Sequence, residues 1–123
     1  MDHRLFLAAR ARVLADLEAR QQATAPVVSA LEEAVASRRW WAEQWPEGEM
    51  YVAGLVAQDV QDAVLDSGGR WPVCEICRGG PVHALQIQPD LGGPDPVWVC
   101  EESGTAVAEL GRLSSPGPAA PTG

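Results

Sequence analysis

The chain of 123 residues has no lysine, one phenylalanine, one tyrosine, two histidines and three cysteines. Each scarcity excludes something. All nine basic residues are arginine, which with the many alanines, glycines and prolines points to GC-rich coding and says nothing of function. No apolar run approaches the roughly 20 residues that span a bilayer, so a soluble protein is expected. The short apolar stretch near the N-terminus is interrupted by Arg10 and Arg12 before a signal-peptide core could form, and the expected location is cytoplasmic. Three cysteines cannot all pair within one chain, so a disulfide framework is the weaker reading and metal or redox chemistry the stronger. There is no Glu-x-x-His motif, no solenoid-type repeat and no complete catalytic set.

Basic charge is also short where it would matter for nucleic acid. Residues 1 to 45 carry six arginines against six acids, while residues 46 to 123 carry three arginines against eleven, so the second part holds the whole excess behind the net charge of −8. Such a surface repels phosphate backbones, whose binding draws on clustered bases and counterion release, and a nucleic-acid partner is not expected.

What is present is organised in two parts. Phe6, Ala9, Val13 and Leu17 recur at spacings of three and four, which predicts a helix over residues 3 to 22 with Arg4, Arg12, Asp16 and Glu18 pointing elsewhere. Thr24 and Pro26 form a helix-start signal for a second helix striped by Val27, Leu31, Ala34 and Val35 and stopped by Pro46. A third is predicted from about Glu49 to Asp66 on Val52, Val56, Val60, Ala63 and Val64, with Ser67-Gly68-Gly69 as its stop. Beyond Gly69 come short apolar stretches broken by glycine and proline: Val82 to Ile87, Val97 to Cys100 and Ala106 to Leu110. These read as three short strands, with the turn formers of residues 90 to 96 at a hairpin tip. From Ser114 the chain is Ser, Pro, Gly, Ala and Thr only, and a disordered tail is expected.

The chemistry concentrates in Trp71-Pro72-Val73-Cys74-Glu75-Ile76-Cys77-Arg78-Gly79-Gly80 and in Trp98-Val99-Cys100-Glu101-Glu102-Ser103-Gly104. A Cys-x-x-Cys spacing brings two thiolates to one metal, and a following glycine permits the tight turn that aims backbone N–H groups at them. This unit, about residues 71 to 112, resembles a zinc ribbon, in which two Cys-x-x-Cys-Gly knuckles sit at the base of a small antiparallel sheet. The resemblance implies that Cys74 and Cys77 form the first knuckle, that Cys100 and Gly104 open and close the second, and that zinc is the cofactor. Two departures stand out: Ser103 replaces the fourth cysteine, and Arg78 precedes the glycine that should follow the first knuckle directly. A neutral hydroxyl is a poor zinc ligand, so a fourth ligand is needed. His83 is the best candidate, since strand alternation places it on the face of Leu85 and Ile87. Ser103, a carboxylate or water are the alternatives. More loosely, the helix carrying Gln58-Asp59-Val60-Gln61-Asp62 ahead of a Trp-Pro-x-Cys segment looks like small uncharacterised proteins of high-GC Gram-positive bacteria, which implies no activity.

Two further groups are weighed against plainer readings. Arg38-Arg39-Trp40-Trp41 and Trp45 gather three of the five tryptophans at the end of the second helix. They either pack the junction between the two parts or, for Trp40 with Arg38 or Arg39, anchor a partner protein. Asp59, Asp62 and Asp66 share a helix face, where carboxylates could act as general acid and base or bind a hard cation but more commonly form a solvated face, here within reach of Arg38 or Arg39. The expected class is therefore α+β: a three-helix unit over residues 1–69, then a three-stranded antiparallel zinc-ribbon-like sheet over 70–113. The expected function is a non-enzymatic protein with a structural zinc held by Cys74, Cys77, His83 and Cys100, acting as an interaction or adaptor module. The alternative is a small enzyme, using either the Cys-x-x-Cys pair for redox chemistry or a three-ligand zinc holding a water near Glu101 or Glu102 for hydrolysis.

Overall fold

The computed structural model describes residues 3–77, 80–89 and 95–113, and the expected hairpin tip and tail lie largely or wholly outside these. Three helices, α1 (His3–Ala19), α2 (Ala25–Gln44) and α3 (Val52–Asp66), precede three short strands, β1 (Gln86–Gln88), β2 (Val97–Cys100) and β3 (Thr105–Glu109). The strands form an antiparallel sheet in the order β1-β2-β3, with Ile87 opposite Trp98 and Trp98 opposite Ala108. The architecture is α+β, as expected.

Helical periodicity decides the buried faces. Phe6, Ala9, Val13 and Leu17 of α1 are all buried, and they meet Leu31 and Ala34 of α2 and Val52, Val56, Val60 and Val64 of α3. The same core continues without a break into Trp71, Leu85, Ile87, Trp98 and Leu110, so the helices and the sheet share one interior.

Boundaries differ from the sequence expectation in three places. Helix α1 ends at Ala19 rather than residue 22, because Gln21 adopts a left-handed backbone (φ 59°) and the Gln22 N–H folds back onto the Leu17 carbonyl. Thr24 has the extended backbone of an N-cap, with proline in the first turn, but makes no side-chain cap hydrogen bond. The third helix proper begins at Val52, preceded by a 3₁₀ turn over Pro46–Tyr51. Gly48 in that turn is buried, and a Cβ there would stand 2.6 to 2.7 Å from the rings of Trp41 and Trp45, so only glycine lets the chain pass this closely. The predicted strand from Val82 to Ile87 divides: Ala84 bridges Val73, while only Gln86–Gln88 pairs with β2.

One buried polar residue ties the layers together. Asp16, expected to point away from the core, is 0% exposed. Its Oδ2 accepts hydrogen bonds from Trp98 Nε1 at 2.7 Å and the Gly111 N–H at 2.6 Å, and its Oδ1 accepts from the Leu113 N–H at 3.0 Å. Trp71 Nε1 donates to the Asp16 carbonyl at 3.2 Å, and its ring meets Trp98 edge to face at 5.2 Å. The tryptophans at the junction of helices and sheet are thus Trp71 and Trp98, whereas Trp40 and Trp45 are 64% and 45% exposed.

Candidate metal centre

The segment after α3 is held in place before any ligand is considered. Gln61 on α3 donates through Nε2 to the carbonyls of Trp71 and Leu85, at 3.0 and 2.8 Å. Arg20, at the end of α1, donates to the Val73 carbonyl at 2.7 Å. The Leu85 N–H bonds the Pro72 carbonyl and the Cys74 N–H bonds the His83 carbonyl, at 2.7 and 2.8 Å. This two-bond ladder lays the first knuckle antiparallel to the residues that carry His83. Cys100 ends β2, and the tight turn after it closes with the Gly104 N–H on the Cys100 carbonyl at 2.7 Å. Gly104 sits at φ 74°, the left-handed region where glycine is unstrained, which accounts for a glycine at this turn.

These elements bring Cys74, Cys77, His83 and Cys100 together, with one ligand atom from each lying within 4.8 Å of all the others. Cys77 Sγ is 3.5 Å and His83 Nε2 3.6 Å from Cys100 Sγ. Ligands on a tetrahedral metal at bond lengths of about 2.0 to 2.3 Å stand about 3.5 to 3.8 Å apart, so these two spacings, and the 4.8 Å bound on the rest, are close enough for the four atoms to hold one ion. The His83 ring is also oriented for the role. Its Nδ1 lies 3.0 Å from the Pro81 carbonyl, and a hydrogen bond there places the proton on Nδ1 and leaves Nε2 free as a ligand facing the sulfurs. Cys74 and Cys100 are buried, while Cys77 and His83 are half-buried.

The electrostatics of the metal-free cluster follow from these contacts. Hydrogen bonds from Ser103 and His83 bring the Cys100 thiol down to about 6, and the same contact with Cys100, aided by the Pro81 carbonyl, lifts His83 to about 9. Cys77, hydrogen-bonded to Cys100 and crowded by the other sulfurs, is pushed up to about 12. A metal must therefore displace protons from Cys77 and His83 at neutral pH, whereas Cys100 is already ionised. Between pH 8 and 7 the protons of Cys77 and His83 should together weaken the apparent affinity for added zinc by about a hundredfold per unit of acidification, about tenfold for each. Competition with a chelator of known protonation at three pH values measures this. A flat profile would contradict the assigned proton inventory.

Ser103 is close to the site without replacing its histidine. Its hydroxyl pairs with Thr105 at 2.9 Å, and its side chain and backbone N–H both reach Cys100. Glu101 and Glu102 are exposed and share with His83 and Arg70 the lining of a groove of about 270 Å³; the Glu101 carboxylate accepts a long hydrogen bond from Gln88 at 3.4 Å. Arg78 and Gly79 lie outside the described residues, as does the side chain of His3.

The remaining sequence candidates go elsewhere. Arg38 donates two hydrogen bonds to the Asp59 carboxylate at 2.8 and 2.9 Å and stands over the Trp41 ring at 5.7 Å, so it is committed within the fold. Arg39 reaches Glu43 at 3.9 Å, and Trp40 stands in solvent. Asp59 is taken by Arg38, while Asp62 and Asp66 are exposed. Sequence reasoning missed Asp16 and the Pro81–His83 contact. The second had a local signal, a carbonyl two residues before the histidine; the first had none, since its partners lie 82 to 97 residues away.

Residues 2–110 match a family described as Domain of unknown function (DUF8819). No curated protein and no solved structure matches the chain. Among the described residues, no helix is long and apolar enough to cross a membrane.

Proposed function

We propose that this chain, which belongs to the DUF8819 family, is a non-enzymatic protein that holds one structural zinc through Cys74, Cys77, His83 and Cys100 and presents the resulting fold to another protein. The observation that carries this reading is the mutual approach of four ligand atoms from three separate segments, with the histidine fixed by a backbone carbonyl. Three thiolates and an imidazole form a soft donor set suited to zinc. Bound there, the ion would cross-link the knuckle, the His83 segment and the end of β2, a region with only short strands of its own. Because a preformed site is absent from the unfolded chain, its binding free energy would be largely folding free energy. Reduced thiols of this kind suit a cytoplasmic setting.

Four protein ligands fill a tetrahedral zinc and leave no position for a substrate water, which weighs against the hydrolytic alternative. A thioredoxin-like redox pair gains its reactivity from a helix beginning after the first cysteine. Residues 74 to 77 form no helix, which weighs against that reading too. Native mass spectrometry of the purified chain should find close to one zinc per molecule, lost on chelation together with protection of residues 71 to 112. A fully folded metal-free chain would overturn the proposal.

A further inference from the structure

Cys77 and Cys100 stand 23 residues apart in the chain, yet their sulfurs are in contact at 3.5 Å. The three cysteines differ in access. Cys74 and Cys100 are 8% and 0% exposed, whereas Cys77 is half-buried, so a small reagent arriving from solvent meets Cys77 first. Behind it Cys100 is fixed in place: it ends β2, and the turn that follows closes on its own carbonyl at 2.7 Å. The two segments are anchored separately, the first knuckle by Arg20 on the Val73 carbonyl at 2.7 Å and β2 by a paired strand on either side. An accessible thiol backed by a second thiol in contact is the arrangement in which oxidation stops at a disulfide instead of running on to sulfinic acid.

We propose that Cys77 and Cys100 are a peroxide-sensitive thiol pair whose disulfide, once closed, expels the zinc; the expulsion rests on the zinc reading above. The Cys77 thiolate attacks one oxygen of hydrogen peroxide, so that an S–O bond forms, the O–O bond breaks and hydroxide leaves. The Cys100 thiolate then attacks the Cys77 sulfur, an S–S bond forms and the S–O bond breaks with loss of a second hydroxide. Each hydroxide takes up a proton as water. Two electrons pass from the two sulfurs to the peroxide, and the net change is two thiols and one peroxide to one disulfide and two waters. The metal ligand is the thiolate, and a disulfide sulfur no longer is one. Only Cys74 and His83 remain, too few to hold a tetrahedral ion. The new bond still ties the first knuckle to β2, but the residues around His83 lose their tie.

The test treats the reduced full chain with hydrogen peroxide twice, once loaded with zinc and once after chelation, and alkylates the remaining thiols before peptide mapping. Both samples should yield a Cys77–Cys100 disulfide with Cys74 alkylated. In the loaded sample a chromogenic chelator should count one zinc released per disulfide, and dithiothreitol should restore binding. Amide protection should fall over residues 80 to 84 and persist over residues 97 to 100. Because Cys77→Ser removes a ligand as well as the thiol, Cys74→Ser serves as the informative variant: it keeps the pair and should close the same disulfide. A Cys74–Cys77 disulfide, a bond between two chains or Cys77 carried on to sulfinic acid would overturn the proposal. So would zinc retained by a chain whose Cys77–Cys100 bond is closed. A chain that binds no zinc but closes that bond would remove the zinc reading and uphold the pair.

Discussion

In the proposed zinc site His83→Ala should lower zinc affinity by well over about a hundredfold, while Ser103→Ala, which removes only a hydrogen bond to the Cys100 sulfur, should lower it by about tenfold. Both residues are candidates to complete a site that has only three cysteines, but their chemistry differs. An imidazole nitrogen coordinates zinc as a neutral donor, and His83 Nε2 already faces Cys100 Sγ at 3.6 Å with Nδ1 engaged by Pro81. A serine hydroxyl rarely coordinates zinc, and that of Ser103 is paired with Thr105 and directed at the Cys100 sulfur. In the proposed site, removing it would cost Cys100 a hydrogen bond, whereas removing His83 would cost a ligand. Chelator competition on the two variants separates them, and amide exchange should show residues 71 to 112 loosening in His83→Ala before the helices do. If Ser103→Ala releases zinc and His83→Ala retains it, the fourth ligand has been misassigned.

The second large effect lies outside the cysteine cluster. Asp16→Ala should destabilise the chain by at least about 3 kcal/mol, since it leaves three donors without their acceptor and each buried unsatisfied donor costs about 1 to 3 kcal/mol. The donors are Trp98 Nε1 and the N–H groups of Gly111 and Leu113, which fasten β2 and the chain beyond β3 to the last turn of α1. By contrast, Glu32→Ala breaks an ion pair with Arg10 whose carboxylate side chain is 52% exposed. Such a pair contributes at most about 1 kcal/mol. Denaturant midpoints of the two variants, read at Trp98 and Trp71 fluorescence, test the ordering. Equal losses would mean that water reaches the donors once the carboxylate is gone.

The contrast between these residues marks what local sequence encodes. Repeats at three and four residues identified the buried faces of α1 and α3, because a helix turns a fixed angle per residue and burial follows that angle. The Cys-x-x-Cys spacing picked out Cys74 and Cys77 for the cluster and the trailing Gly104 marked a left-handed turn, because both are properties of adjacent residues. Val97 to Cys100 were legible as a strand to the residue, an apolar β-branched and aromatic run bounded by turn formers.

Tertiary structure alone decided the rest. The α1 stripe could not show that Asp16, next to Leu17, also turns inward, since the carboxylate is tolerable there only with donors brought from 82 to 97 residues away. The predicted strand from Val82 divided because its first half found the knuckle at Val73 and its second half found β2, a choice between partners that alternation does not express. The tryptophans sorted themselves the same way: Trp71 and Trp98 entered the core where helix and sheet meet, and Trp40 and Trp45 stayed at the surface. Its place after the Cys-x-x-Cys pair and strand alternation made His83 a candidate ligand; what set its ring nitrogen beside Cys100 was the pairing of three segments, held by hydrogen bonds from Arg20 and Gln61 that no local pattern specifies.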